Sequence, residues 1–400
     1  MRVVHLSTAP IKTNTKVNIY LFMPRKEFSL MKILCTKSEL LQAVNIVSKA
    51  VAVRSTISIL ECILITATNN EIKMTANNTE LGIETIVDGT IIEPGIIALD
   101  SKIISDIIRK LPDNEVTIST DDTFKTTITS EKAQFSISGK SGEDFSYIPD
   151  LAKVDGIEVS QFSLKEIIRQ TIFSIATNDS NVILTGELFE INGSELKVIS
   201  LDGHRISIRK INLNDSYPHR KVVVPGKSLQ ELNKILTGEM DEVVQIFITD
   251  NHITFMFDRT TVVSRLIDGE YIDTSKMISS DYETKVTVNK KLLFDCIDRA
   301  TLLSKEGDKR PVVVTINDDS MHLRMSSFIG SMEDEIEVHK EGKNMSIGFN
   351  PNFFIDALRV IDDEEVSIYM LNQKAPCLIK DDDENYIYLI LPINFNNPNN

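Results

Sequence analysis

The chain has 400 residues, 42% of them hydrophobic and only 6% aromatic with no tryptophan, and its formal net charge is −15. At roughly 100–200 residues per domain, this length predicts two to four domains with separate cores. The acidic excess excludes a protein that holds nucleic acid over its whole surface. The scarcity of aromatic rings argues against a single-strand binder that stacks bases, so any phosphate contact must come from a local basic surface.

No run of about 18 apolar residues occurs, so no membrane span is predicted, and the N-terminus lacks the apolar stretch and cleavage site of a secretory signal. A cytoplasmic protein is the expectation. Cys35, Cys62, Cys296 and Cys377 form no CxxC pair and have no histidine at ligand spacing, which predicts reduced, packed thiols and no metal or other cofactor. No GxxxxGK[ST] loop is present, so any ATP-driven step belongs to another protein.

Residues 1–30 set Arg2, Lys12, Lys16, Arg25 and Lys26 against Glu27 alone and show no amphipathic period, which predicts an unstructured extension or a start codon assigned too far upstream. Met31 then opens MKILCTKSELLQAV, with a helix predicted over 38–51 after a short strand, followed by alternating stretches such as ECILITATNNEIKMTANN. DSKIISDIIRKLPDNEVTI (100–118) reads as a polar cap, a short amphipathic helix, an acidic turn and a strand opening on valine. The same order returns twice. A helix over 164–176, strands in GELFEINGSELKVISLDGHRISI and the segment VPGKSLQELNKILTGEMDEVVQI (224–246) form the second copy. A helix over 290–304, strands in VVVTINDDSMHLRMSS and NPNFFIDALRVIDDEEVSI (350–368) form the third, and NFNNPNN (394–400) is too polar to pack.

Apolar positions of the copies align at a constant shift of 125: Ile104, Leu229 and Phe354; Ile107, Leu232 and Ala357; Leu111, Leu236 and Ile361. A period of this size repeats a whole domain and not a solenoid unit. The expected fold is α+β, with three repeated domains over 31–155, 156–281 and 282–396, each placing two helices on antiparallel sheets. Open sheets expose edges that must be paired, and head-to-tail domains pair them by closing a ring; three copies make part of one, which a dimer completes.

The helical segments as predicted, with their flanking residues, hold fifteen bases against seven acids, a net of +8, which leaves about −23 on the rest. A basic helical lining inside an acidic ring would draw phosphates to the hole, although ordinary solvated helix faces read the same way. Asp202, Gly203, His204 and Arg205 resemble a catalytic cluster, but Asp-Gly between two alternating strands is a hairpin signal. The acidic runs Asp362 to Glu365 and Asp381 to Glu384 lie in predicted turns, where carboxylates are usually solvated and not metal ligands.

From Met31 to Phe395 the chain closely resembles the bacterial DNA sliding clamp family, the beta subunit of DNA polymerase III. The stretches that carry the resemblance are MKILCTKSELLQAV, Arg54, FSYIPD (145–150), LDGHRISI (201–208), VVVPGKSLQEL (222–232), SRLIDGEYID (264–273), RATLLS (299–304), IGFNPNF (347–353) and LILPI (389–393). Their order and spacing, together with the repeat, make the match specific.

The resemblance implies a six-domain ring made by a head-to-tail homodimer, helices lining a hole around duplex DNA, and no active site. The function it implies is that of a processivity factor that binds DNA without sequence specificity. The replicative polymerase, clamp loader and repair proteins would be tethered through short linear motifs. The implied peptide pocket comprises Ile183, Leu184, Leu201, Gly203, His204, Arg205, Ile206, Ile272, Met277, Asn350, Lys374, Pro376, Leu389, Leu391 and Pro392. Implied DNA contacts are Arg54, Lys102, Asn178, Lys227 and Lys276, and the implied dimer seam sets Phe135 against Leu302 and Leu303. Ile272 stands where many members have proline and Asn181 where some have arginine, which leaves the peptide preference open. The rival readings are a three-domain scaffold that never touches DNA and a metal-dependent nuclease built on the acidic turns.

Overall fold

The first helix of each repeat begins where a strand ends on a capping side chain. In this computed structural model, which describes residues 30–145, 148–149, 151, 153–177, 179–279, 281–303 and 310–395, Thr36 ends the strand Met31–Thr36 and caps α1 (Lys37–Val47) by accepting from the Glu39 N–H at 3.3 Å. The predicted extension and the last five residues lie outside the described residues. Asp100 caps α2 (Ser101–Lys110). Ser160 caps α3 (Gln161–Arg169), and α4 (Gly226–Ile235) starts after Pro225 without a side-chain cap. Asn289 caps α5 (Lys290–Thr301) and Asn350 caps α6 (Pro351–Val360), each cap oxygen answering an otherwise orphaned N–H.

Three helices are shorter than their sequence periods suggest. The stretch 38–51 divides into α1 and a 3-10 turn at Ser48–Ala50, and α5 stops at Thr301. The stretch 164–176 starts earlier and stops at Arg169, because the Thr171 hydroxyl turns back onto the Ile167 carbonyl at 2.7 Å and Ile172–Ser174 tightens into a 3-10 turn.

The helices pair within each repeat, α1 with α2, α3 with α4 and α5 with α6. The repeated apolar positions face inward: Ile104, Leu229 and Phe354 are buried, as are Ile107, Leu232 and Ala357, and Leu111, Leu236 and Ile361. Each large aliphatic side chain buried this way contributes roughly 1.5–3 kcal/mol. One core runs through the first two repeats and a second fills the third.

Among the described residues four antiparallel sheets carry these helices, and two of them cross the domain boundaries. A nine-stranded sheet joins the first repeat to the second by setting Leu81–Val87 against Thr260–Arg265. A seven-stranded sheet joins the second to the third by setting Arg205–Pro225 against Tyr386–Ile390. The strands that hold the corresponding places at the two ends of the chain, Ala133–Ser138 and Ser331–Glu337, are edge strands of a five-stranded and a four-stranded sheet.

All four cysteines are buried and unpaired, and burial pushes the Cys35 and Cys296 thiols up to about 12, so they pack as apolar groups. Glu187 is the anomaly of the core. It is fully buried between the inward-facing neighbours of the strand Gly186–Leu201, and neither carboxylate oxygen has a partner. Burial raises it from 4.5 to about 8, opposed only by Thr171, whose hydroxyl is already donated to Ile167. A carboxyl with a raised folded pKa binds its proton more tightly folded than unfolded, so its contribution is full below pH 4.5 and falls as pH rises to about 8. Glu187→Leu is therefore expected to stabilise the fold, little at pH 5 and most at pH 9, where the gain in unfolding free energy reaches up to about 5 kcal/mol. A difference that does not grow with pH would show that Glu187 is not held neutral.

Candidate functional site

The second and third repeats meet at the tight turn after Leu201. Asp202 accepts from the N–H groups of His204 at 2.9 Å and Arg205 at 3.1 Å, and Gly203 takes φ +89°, a left-handed backbone that a Cβ would strain. The cluster that resembled catalytic residues is thus a hairpin whose polar groups hold its own shape. Arg205 pairs with Asp202 at 3.0 Å and reaches across the joint to Asp356 of α6 at 2.6 Å. Its guanidinium also donates to the Phe173 carbonyl and lies 4.6 Å over the Phe353 ring. The His204 ring stacks on Phe353 with centroids 6.2 Å apart. Farther along the joint, Arg169 crosses to Asp362 at 3.0 Å.

Beside this polar clamp lies an apolar floor contributed by both repeats. Leu184, Leu201, Ile206 and Leu389 are buried in one cluster, and Ile183 packs against it. The strand pair Ile206↔Leu389 makes the junction itself part of the floor. Leu391, 37% exposed, is held at the rim by its N–H donating to the His204 carbonyl at 2.9 Å, and half-buried Pro392 follows it. Two hollows open onto the cluster. One of about 690 Å³ is walled by Leu188, Ile199, Val223, Tyr271 and the exposed Ile272. One of about 90 Å³ is walled by Met277, Pro376, Tyr369, Leu378 and Tyr282.

Asn350 uses its side chain to cap α6 at the Asn352 N–H, and Lys374 is exposed in the turn held by Asn372, so both stand outside the apolar cluster. The sequence reading missed Leu188, Ile199, Val223, Tyr369, Leu378 and Ile387. A signal existed: Leu188 beside Phe189 and Ile199 beside Val198 give this strand two apolar faces, the mark of a strand covered on both sides.

Three family models cover almost all of the described chain: the N-terminal domain of the DNA polymerase III beta subunit over 31–149, its central domain over 158–273 and its C-terminal domain over 275–394. The chain belongs to the DNA polymerase III beta subunit family. The beta sliding clamp of Staphylococcus epidermidis is 35% identical over 375 residues, 91% of this chain and 99% of that one. The crystal structure of a putative DNA polymerase III beta subunit from Eubacterium rectale superposes with a TM-score of 0.89 at 64% identity, covering 91% of this chain and all of that one. The DNA polymerase sliding clamp of Bacillus subtilis gives 0.88 at 34%, covering 92% and 100%. This chain is accordingly a sliding clamp, a non-catalytic processivity factor that works as a dimer with DNA, polymerase and clamp loader.

The six α-helices among the described residues hold twelve bases and seven acids, a net of +5 with −20 left on the rest of the chain. The expected +8 was too large, because Lys49 lies in a 3-10 turn, Arg54 lies in a bend between two such turns, and Lys305 falls outside the described residues. Of the helix bases, Lys102, Lys110, Lys227 and Arg359 have neither a carboxylate nor a carbonyl partner among the described residues, and these four sit on the second helix of a repeat, whereas Lys165 and Lys290 on first helices donate to the Leu236 and Ile361 carbonyls. Lys102 and Lys227 occupy one repeat position, and Arg109, Lys234 and Arg359 another. Exposed Arg54 adjoins Val53, which shares a cleft of about 330 Å³ with Lys102, whereas Lys276 lies in an exposed turn next to Met277. Asn178 lies outside the described residues.

Phe135 is 38% exposed on its edge strand, Leu302 is 78% exposed just past α5, and Leu303 packs against the core of the third repeat. In the acidic turns, Asp381 accepts from Asn385 at 2.8 Å and from the Tyr386 N–H, Glu384 pairs with Lys380, and the Tyr386 hydroxyl donates to Asp363 at 2.9 Å. No helix among the described residues is long and apolar enough to cross a membrane. Because Arg205 is a nearly buried charge between two carboxylates, Arg205→Ala is expected to destabilise the clamp by roughly 3 kcal/mol in denaturant unfolding, with Arg205→Lys recovering only part. An unchanged midpoint would mean that the joint does not depend on this cation.

Proposed function

We propose that the apolar floor at the joint of the second and third repeats is where the clamp receives short peptides from the polymerase, the loader and repair proteins. The observation that carries this reading is that a single hydrophobic cluster, fed by two domains, remains open at Ile272, Met277 and Leu391. These three are 37%, 45% and 37% exposed beside a floor that is nearly dry. An extended peptide with a few apolar anchors gains its affinity in such hollows, and the rim supplies orientation. His204, Gly203 and Arg205 shape one wall, and Pro376 shapes another.

In the same reading the second helices of the repeats face the DNA. Lys102, Lys227 and Arg54 meet the phosphates loosely, a contact that positions the duplex without reading its sequence. The acidic remainder of the surface repels DNA elsewhere. The edge strands around Phe135 and beside Leu302 and Leu303 join two chains into the ring, which acts in the cytoplasm. A polymerase bound at the pocket then meets the primer end again at an effective concentration that is roughly millimolar for a short flexible link.

Two measurements test these assignments. Leu391→Asp is expected to weaken a polymerase-derived peptide at least roughly 30-fold, the loss of one apolar anchor, while leaving the dimer intact. Unchanged peptide affinity would move the pocket elsewhere. Clamps loaded onto nicked circular DNA are expected to survive a high-salt wash and to leave when the circle is linearised, and charge reversal at Lys102, Arg109 and Lys227 is expected to slow loading. Release by salt alone would make the link electrostatic and not topological.

A further inference from the structure

Residues 1–30 hold five bases against one acid, a net of +4, which leaves −19 on residues 31–400. They precede the first clamp domain, which begins at residue 31. Their charge alone would suit phosphates, but the bases stand on either side of one apolar run. Val17 to Met23 reads VNIYLFM, six apolar residues in seven, with Lys12 and Lys16 before it and Arg25 and Lys26 after it. A phosphate backbone offers Ile19, Tyr20, Leu21 and Phe22 nothing to bury against, whereas an apolar hollow does. Basic flanks around a few large apolar side chains call for a receptor that is apolar in the middle and acidic at the rim.

The joint of the second and third repeats is such a receptor. Its apolar floor stands open at Ile272, Met277 and Leu391. The hollow of about 690 Å³ beside Ile272 is lined by five acids and two bases, a net of −3. The two bases, Lys197 and Lys221, already lie 3.7 and 2.9 Å from Glu190, so the charge that remains is that of Asp250, Asp268, Glu270 and Asp273. Asp268, Glu270 and Asp273 are exposed before and after Ile272, on the apolar rim itself.

We infer that residues 16–26 of the chain are themselves a ligand of this pocket, so that the clamp carries its own competitor for partner peptides. The inference rests on the peptide pocket proposed above. Ile19, Leu21 and Phe22 supply the apolar anchors, and Lys16, Arg25 and Lys26 meet the acidic rim. The extension joins the first repeat at Leu30. In a head-to-tail ring each first repeat has a joint of second and third repeats one repeat away on either side, its own and the partner's. Between Leu30 and the anchors Phe22 to Ile19 lie eight to eleven residue steps, a span of at most roughly 26–40 Å against about 35 Å for one repeat. A tethered segment is present at roughly millimolar effective concentration, so one whose free peptide binds at about 100 µM fills about nine pockets in ten. A tighter partner peptide displaces it, whereas weaker apolar segments are turned away.

A labelled synthetic peptide of residues 14–28 is expected to bind the chain that begins at Met31 and to be displaced by a polymerase-derived peptide. Leu391→Asp in the clamp, or Leu21→Asp with Phe22→Asp in the peptide, is expected to weaken it at least roughly 30-fold, and Lys16→Glu with Arg25→Glu and Lys26→Glu roughly 3- to 10-fold. The full chain is expected to bind the polymerase-derived peptide roughly tenfold more weakly than the chain from Met31, and Leu21→Asp with Phe22→Asp in the full chain to remove the difference. Equal affinity of the full and shortened chains, or a natural protein whose mass places its first residue at Met31, overturns the inference. So does a segment peptide that fails to bind where the polymerase-derived one binds, which leaves the pocket standing. If both peptides ignore Leu391→Asp, the pocket reading itself falls. A deletion that loosens the clamp on duplex DNA and leaves peptide affinity unchanged makes the extension a phosphate-binding arm and overturns the inference as well.

Discussion

Antiparallel strand pairing from one repeat to the next is the constraint on which the rest of the molecule depends. Five residues of each outgoing strand find partners on an incoming one, at Leu81 to Thr85 and again at Arg205 to Arg209. Each main-chain hydrogen bond formed this way contributes only about 1 kcal/mol net, yet an unpaired buried group would cost more, so the pairing fixes direction and register more than it supplies energy. Side chains then lock what the backbone has aligned. The Thr85 and Thr260 hydroxyls lie 3.0 Å apart at one joint, and Arg205 bridges to Asp356 at the other.

The same pairing builds the proposed peptide surface. Along Arg205 to Arg209, Ile206 and Ile208 turn to one face of the sheet with Leu389 and Ile387, while Ser207 turns to the other beside Tyr388. One strand pair thus welds two domains and lays the apolar floor between them. The helices pack on the opposite side of the sheets and carry unpartnered bases, so the proposed peptide pocket and the proposed phosphate contacts occupy different faces.

What the sequence disclosed follows from which forces are local. The 3.6-residue period and the shift of 125 placed all six helices and their inward positions, because each needs only neighbours a turn away. Helix ends were harder to read, since the stop after Arg169 depends on a hydroxyl folding back at Thr171. The continuity of the sheets was invisible, because Thr85 meets Thr260 across 175 residues. The pocket was half legible: the resemblance supplied Leu184, Leu201 and Leu389, while Leu188 and Leu378 emerge only when both faces of their strands are seen to be covered. Glu187 left no mark at all, since one acidic letter in a strand gives no hint that both its oxygens are without partners.

Strand pairing across the repeat boundaries has a consequence for assembly errors. Head-to-tail contacts close into a ring only when every step turns the chain by the same angle, and otherwise they grow without limit as a helical filament. A clamp whose seam pairs out of step would still satisfy its hydrogen bonds, yet its ends would miss each other and recruit further copies. Each chain carries two such strand pairings, and only a seam that turns the chain as a closed ring requires separates a tether from a fibre.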